Sequence, residues 1–144
     1  MMLKPVLAAA LTASFLMVGG CASKPDASGG LQAYAPQNGV NSYLWRATLE
    51  TLDFMPLGQT DVYGGTINYD WYSNPQVPTE RLKATVYILD SNLRADGLKV
   101  AIFKQTRAGT GWQDASVDAD TARQIENSIL TRARQLFIAT EDAS

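Results

Sequence analysis

The sequence predicts a two-layer α+β domain, in which an N-terminal and a C-terminal helix pack on one face of an antiparallel sheet of three or four strands. Two observations lead to this prediction. Apolar residues recur every three or four positions near residue 44 and again near residue 129, as in amphipathic helices. Between these stretches the apolar period falls to two, as in strands with one buried face. Short turn signals join the alternating runs, so neighbouring strands are expected to be antiparallel.

The first helix is predicted to begin near residue 41. Asn41 or Ser42 is a suitable N-cap, because a short polar side chain can accept a hydrogen bond from a free N–H group of the first turn. The apolar positions are spaced three and four apart, and they are Val40, Leu44, Thr48, Leu49, Leu52 and Met55, with Trp45 beside Leu44. Pro56 prevents the helix from continuing.

The first predicted strand follows the turn signal Gly64-Gly65. Ile67, Tyr69 and Trp71 alternate there with polar or amphipathic neighbours. Because successive side chains of a strand point to opposite faces, these three are expected to share the buried face. The stretch Leu57 to Gly65 has no such alternation and is not predicted to be a strand.

Two further alternating runs, residues 80–89 and 98–105, are predicted to form an antiparallel hairpin around the turn signal Asp96-Gly97. Alternation directs one set of side chains toward the helices, namely Leu82, Ala84, Val86, Ile88, Leu98, Val100 and Ile102. It leaves four residues together on the opposite face, namely Lys83, Tyr87, Lys99 and Phe103. Aromatic rings beside cations suit a protein partner, an anionic lipid or a glycan, so these four form the candidate partner-binding face. Ordinary cross-strand pairs on a half-solvated sheet would show the same pattern.

The last two elements are a short fourth strand, from Trp112 to Val117, and a helix that begins at Asp118 or Asp120. The apolar stripe of this helix consists of Ala122, Ile125, Ile129, Ala133, Leu136 and Phe137. Arg132 and Arg134 lie toward the C-terminal end of the helix, where positive charge suits the helix dipole.

The first 20 residues are predicted to be a signal peptide, because Lys4 is followed by the apolar run Val6 to Val18 and then by Gly19 and Gly20. The run of 13 residues is short of the roughly 20 that a membrane-spanning helix needs. Cys21, the only cysteine of the chain, comes next. Small residues before a lone cysteine resemble the lipobox of bacterial lipoproteins, in which the thiol is acylated and becomes the first residue of the mature protein. Cys21 is therefore the predicted lipidation site, and a secreted form without lipid is the alternative.

Residues 21–40 are predicted to be the acylated N-terminus and a flexible tether, and residues 41–144 a single periplasmic domain. The stretch Ser23 to Gly30 is small, polar and rich in glycine, so it cannot bury enough apolar area to offset the entropy of ordering it. Ala22 follows the cysteine, where an Asp would be the usual retention signal of the inner membrane in enteric-type sorting. By resemblance to that rule, we expect a lipid anchor in the outer membrane and a domain that faces the periplasm.

Composition excludes several classes of function. The chain has 12 Lys and Arg against 14 Asp and Glu, a formal net charge of −2, and its basic residues are scattered, so no nucleic-acid partner is expected. It contains no histidine, which excludes His-based triads and most zinc sites. We therefore expect no metal, no cofactor and no enzymatic activity. The alternative is a periplasmic hydrolase that acts on cell wall or lipid through Asp70, Glu80 and Asp90.

Three segments carry a family resemblance, namely Asn41 to Ala47, Asp70 to Ser73 and Ile129 to Leu136. Together with the lipobox they resemble a family of small proteobacterial outer-membrane lipoproteins classified only as a domain of unknown function. This resemblance covers nearly all of residues 41–138 and implies an envelope lipoprotein with no catalytic residues to carry over. A weaker likeness, in architecture alone, is to accessory lipoproteins of the outer-membrane β-barrel assembly machinery.

The function expected from these observations is a membrane-anchored, non-enzymatic binding or scaffold module of the cell envelope. Its partners would be the membrane, through the lipid anchor, and either another envelope protein or the cell wall.

Overall fold

A computed structural model describes residues 40–144, which form five strands and two α-helices. In chain order these are α1 (Ser42–Thr51), β1 (Leu57–Asp61), β2 (Thr66–Tyr72), β3 (Glu80–Ile88), β4 (Leu98–Ala108), β5 (Gly111–Ala115) and α2 (Ala119–Glu141). The predicted α+β class is confirmed, but the sheet has five strands rather than three or four. The predicted signal peptide, the lipidation site Cys21 and residues 21–39 of the predicted tether lie outside the described residues.

The five strands form one sheet in which neighbours along the chain are antiparallel neighbours in space, in the order β1-β2-β3-β4-β5. The pairing of β3 with β4 runs from Glu80–Thr106 to Ile88–Leu98 without a shift of register. The predicted hairpin is therefore confirmed. Since the register is continuous, the alternation of side chains between the two faces is continuous as well.

Strand β1 is the additional strand that the sequence pattern does not show. Its side chains are exposed or only partly buried, so it has no apolar alternation to reveal it. It is held by its pairing with β2 and by the turn between them, in which the Asp61 carboxylate accepts the backbone N–H groups of Tyr63 and Gly64. Gly65 has a φ of +67°, and a Cβ atom there would lie 2.3 Å from the carbonyl oxygen of Ile88. Only glycine fits at this point of the turn.

Both helices begin at predicted caps. The Asn41 side-chain oxygen accepts a hydrogen bond from the Leu44 N–H at 2.9 Å, and the Asp118 carboxylate accepts one from the Asp120 N–H at 2.8 Å. Asn41 also donates its side-chain amide to the Ser91 carbonyl, which ties the start of α1 to the loop after β3. No helix within residues 40–144 is both long and apolar enough to cross a membrane.

The two helices and one face of the sheet, here called the inner face, share a single hydrophobic core. The core members that are no more than 1% exposed are Leu44, Trp45, Ala47, Leu52, Ile67, Tyr69, Ala84, Val86, Leu98, Ile129 and Ala133. The Tyr69 hydroxyl donates to the Thr48 carbonyl at 3.2 Å, and burial, reinforced by the nearby charge of Asp53, raises the pKa of Tyr69. The helices are also joined at the surface, where Glu50 of α1 accepts hydrogen bonds from Arg46 and from Arg132 of α2.

Candidate binding face

The sheet face turned away from the helices, here called the outer face, carries all four residues of the predicted partner-binding face. The register pairs Lys83 with Phe103 and Tyr87 with Lys99. Tyr87 is 40% exposed and Phe103 is 53% exposed. The two pairs are separated along the strands by the Thr85–Ala101 pair, so they lie about 13 Å apart. The structure thus places the predicted residues on one face, as two separate cation–aromatic pairs.

Trp71 also lies on the outer face, so its predicted place on the buried face was wrong. Tyr69 pairs with Ala84 and Tyr72 pairs with Leu82, so three steps along β2 match two steps along β3. The extra residue is a β-bulge, and it shifts the alternation by one position. Tyr72 takes the core side in its place and packs against the core.

Trp71, Arg81, Trp112 and Arg107 form a stack of alternating rings and guanidinium groups, here called the ladder. The guanidinium carbon of Arg81 lies 4.5 Å from the ring centre of Trp71 and 4.4 Å from that of Trp112. The guanidinium carbon of Arg107 lies 4.5 Å from the ring centre of Trp112. Each such contact contributes about 0.5 to 1 kcal/mol at an exposed site. The ladder crosses strands β2 to β5 and fixes the direction in which Arg81 points.

Arg81 is also held by an uncharged hydrogen-bond acceptor, the side-chain amide of Gln105. Its Nε atom donates to the Oε1 atom of Gln105 at 2.8 Å, and its Nη2 atom donates to the same oxygen. The amide nitrogen of Gln105 in turn donates to the Asp114 carboxylate at 2.8 Å. Arg81 is therefore held in place by two rings and a neutral amide, and it forms no ion pair with any residue of 40–144.

The basic residues of the described chain divide into two groups. Within residues 40–144, five of them form salt bridges with carboxylates, namely Arg46, Arg94, Lys104, Arg123 and Arg132. Four others, all on the outer face, form no salt bridge with any described residue, namely Arg81, Lys83, Lys99 and Arg107. Arg134 of α2, the remaining basic residue of residues 40–144, also forms no salt bridge there, but it lies on a helix and not on the outer face.

The four outer-face cations have aromatic neighbours where the other group has carboxylates. The register places Arg107 opposite Trp112, Lys83 opposite Phe103 and Lys99 opposite Tyr87. We call these four cations the cation row. The rings orient Arg81 and Arg107, and none of the four cations is neutralised by a carboxylate of residues 40–144.

A cavity of about 500 Å³ opens on the outer face beside the ladder. Residues that line it include Asn68, Trp71, Lys83, Thr85, Phe103 and Asp114. Thr85 is only 7% exposed, and its hydroxyl donates to the side-chain oxygen of Asn68 at 2.9 Å. Lys104, which is paired with Glu80, also lines the cavity. The cavity therefore combines two aromatic rings with two lysines and a carboxylate, and Asp114 forms no salt bridge with either lysine.

The structure does not bring together the three carboxylates of the hydrolase alternative. Glu80 and Asp90 stand at opposite ends of β3, about 30 Å apart along an extended chain. Glu80 forms a salt bridge with Lys104 at 2.9 Å. Asp90 accepts the backbone N–H of Asn92, and hydrogen bonds from this backbone and from neighbouring groups lower its pKa. Asp70 is an exposed residue of the bulge in β2.

Within residues 40–144 no three His, Cys, Asp or Glu side chains lie close enough together to hold a metal ion.

Taken together, the fold and the outer face define a small α+β domain with a cationic, aromatic sheet surface. The chain belongs to the family described as a domain of unknown function (DUF3576), whose model matches residues 38–138. It is also 34% identical over 99 residues to the uncharacterized protein RP420 of Rickettsia prowazekii (strain Madrid E). That match covers 69% of this chain and 59% of the relative, so the chain spans about three fifths of the relative's length. The resemblance to a proteobacterial domain of unknown function is confirmed, and its lipoprotein component stays a prediction.

Proposed function

We propose that this protein is a membrane-anchored periplasmic lipoprotein that serves as a non-enzymatic binding or scaffold module of the cell envelope, with the outer face as its binding surface. The observation that carries the proposal is the cation row, none of whose four charges forms a salt bridge within residues 40–144. Arg81 and Arg107 contact tryptophan rings, and Lys83 and Lys99 lie opposite aromatic residues in the register. The partner is another envelope protein or the cell wall. A role accessory to outer-membrane assembly is part of the proposal and has its support in architecture alone.

A face that served stability alone would gain from opposite charges placed across neighbouring strands. On this face the cations Lys83 and Lys99 are instead opposite Phe103 and Tyr87, and both rings keep a large exposed fraction. Exposed aromatic side chains and arginines are enriched where proteins bind one another. The composition and the exposure of the outer face therefore support binding.

Binding is favoured over hydrolysis by the environments of the carboxylates. A general acid at neutral pH needs a raised pKa, and the hydrogen bonds at Asp90 lower the pKa of that side chain. Glu80 is already engaged by Lys104. Neither carboxylate is set up as a general acid, and the two are held far apart, which supports a binding function for the surface of the sheet.

The binding face is tested by crosslinking in living cells and affinity capture of the full-length chain from the envelope fraction. We expect a defined partner for the natural sequence and its loss in a double variant with Tyr87→Ala and Phe103→Ala. The matched control is Phe137→Ala with Ile138→Ala, which removes two similarly exposed apolar side chains from α2. If the Tyr87 and Phe103 double variant folds and retains every crosslinked partner, the outer face is not the binding surface.

The membrane anchor is tested in the same cells with Cys21→Ser. Because two or three acyl chains hold a protein on a membrane where one chain binds reversibly, loss of the acylated thiol should move the protein to the soluble fraction. Membrane association that is unchanged in this variant would contradict the lipoprotein proposal.

A further inference from the structure

We infer that the segment bound by the outer face is an acidic stretch of another protein, held in extended conformation along the cation row. This inference rests on the proposed binding function and goes beyond it by naming the chemistry and the shape of the ligand. It depends on the spacing of the four cations, on how Arg81 is held, and on the narrow width of the cationic surface.

The spacing of the cation row matches one side of an extended peptide. Arg107 and Lys99 lie on β4 itself. The register places Arg81 of β3 beside Gln105 of β4, and Lys83 of β3 beside Phe103 of β4. The cations thus occupy four of five successive outward positions, and the Thr85–Ala101 pair takes the fifth. Outward positions repeat about every 7 Å, which is the repeat of side chains on one side of an extended chain. The row is about 27 Å long, the length of about eight extended residues.

Arg81 is already oriented for a carboxylate. A guanidinium group is planar and can bind a carboxylate through two parallel hydrogen bonds. The rings of Trp71 and Trp112 and the amide of Gln105 hold this group before any ligand arrives. Because the side chain is ordered in advance, less rotational entropy is lost on binding.

The cationic surface is narrow, which favours a single peptide chain over a bilayer as its ligand. Asp61 and Asp70 lie on the β1 and β2 side of the cation row, and Asp114 lies on β5. An anionic bilayer would extend over these carboxylates as well and would be repelled by them. A single extended chain that follows the row leaves Asp61 and Asp70 uncovered. It meets only Asp114, whose carboxylate already accepts a hydrogen bond from the Gln105 amide.

The cavity beside the ladder indicates a second feature of the ligand, an apolar side chain. It is concave and lies between Trp71 and Phe103, so an apolar side chain of a peptide can enter it. Neutral sugars and nucleic-acid bases bind by stacking on free ring faces, whereas the Trp112 ring already contacts Arg81 and Arg107. Beyond the cation row and Asp114, the described residues comprise six basic and twelve acidic side chains, which would repel a nucleic-acid backbone.

The test uses the full-length lipidated protein in a neutral detergent and a fluorescein-labelled ten-residue peptide that alternates Glu and Thr. The matched probe replaces every Glu with Gln. In fluorescence anisotropy we expect the Glu peptide to bind, the Gln peptide not to bind, and the affinity to fall as salt is added. Arg81→Gln and Lys83→Gln should each weaken binding about tenfold. Arg134→Gln, which removes an exposed cation of α2, should leave it unchanged.

Two further arms use peptidoglycan sacculi and a single-stranded oligonucleotide with the same protein. A third uses vesicles of phosphatidylglycerol without detergent and the Cys21→Ser chain, so that no acyl chain inserts into the bilayer. If one of these binds and depends on Arg81 while the Glu peptide does not bind, the outer face is a binding surface but the inferred ligand is wrong. Equal binding of the two peptides, or binding unaffected by both substitutions, also overturns the inference. If Arg81→Gln does not fold, as judged by circular dichroism, Lys83→Gln and Lys99→Gln decide the outcome, since neither side chain takes part in the ladder.

Discussion

The two faces of the sheet are formed by the same strands, yet they hold their side chains in opposite ways. On β4, Leu98 and Val100 are buried against the helices, whereas Lys99 and Phe103 of the same strand are exposed. The inner face contributes the apolar area that stabilises the fold. Because that contribution comes from one side only, the other side can carry groups that add little to stability.

The same contrast holds for two arginine clusters. In the helical layer, Glu50 lies between Arg46 and Arg132 and neutralises part of their charge. On the outer face, Arg81 lies against Trp71 and Trp112, which orient the guanidinium group and leave its charge intact. Ion pairs thus join the helices to each other, while rings present cations to the solvent. The difference separates a structural use of arginine from a binding use.

The largest expected effect separates two neighbouring residues of β4. Leu98→Ala should lower the free energy of unfolding by about 3 kcal/mol, because it removes a fully buried side chain and leaves a cavity in the core. Lys99→Ala, one position further on, should change it by less than about 0.5 kcal/mol. Urea denaturation of both variants measures the difference. Similar losses in the two variants would show that Lys99 contributes as much to stability as a core residue of the same strand.

A smaller effect is expected from the ladder. Trp112→Ala removes the ring that contacts Arg81 and Arg107, and should cost about 1 to 2 kcal/mol of unfolding free energy. Trp112→Phe keeps an aromatic ring at this position and should recover part of that loss. Both variants are compared with the natural sequence by thermal and urea denaturation. A Trp112→Ala variant as stable as the natural sequence would mean that the ladder orients Arg81 without stabilising the fold.

The smallest effect concerns Glu50 and depends on pH. Burial alone would raise the pKa of Glu50, but hydrogen bonds and charge from Arg132 and Arg46 outweigh it and lower the pKa below its usual 4.5. The folded state stabilises the ionised carboxylate. Its contribution to the free energy of unfolding is therefore present above pH 4.5 and is lost as the pH falls through the lowered pKa of Glu50. Glu50→Gln should therefore cost about 1 kcal/mol at pH 7.

The control for Glu50 is Glu141→Gln, at the end of α2, where no salt bridge is formed within the described residues. Chemical denaturation at pH 7 and at pH 3 measures the free energy of unfolding of both variants. The difference in this free energy between the two variants should be smaller at pH 3 than at pH 7. A Glu50→Gln variant that is equally destabilised at both pH values would contradict the role assigned to the ion pairs.

Much of the fold could be predicted from local sequence patterns. The caps Asn41 and Asp118 were identified from residue type, and the β3–β4 hairpin from alternation, because these features depend on residues close together in the chain. The same alternation correctly grouped Lys83, Tyr87, Lys99 and Phe103 on one face. Continuous register without a bulge is the physical reason that this part of the prediction holds.

Other features depend on contacts between strands that no local pattern reports. Strand β1 has no alternation of buried and exposed apolar side chains, and it forms through its pairing with β2. Trp71 changes face through a single extra residue in β2, which only the pairing with β3 reveals. Alternation alone places Arg81 and Lys83, two positions apart, on the same face, but the rings that hold Arg81 come from β2 and β5.

The amino-acid sequence by itself therefore determined the class of fold, both helix starts and the side of the hairpin on which the cations lie, since each follows from periodicity or from a single capping residue. Tertiary structure alone decided that Arg81 stands between Trp71 and Trp112 and that the four cations of the row form no salt bridge with residues 40–144. The ladder joins side chains from four strands. Its assembly is fixed by strand register, which is a property of the whole sheet.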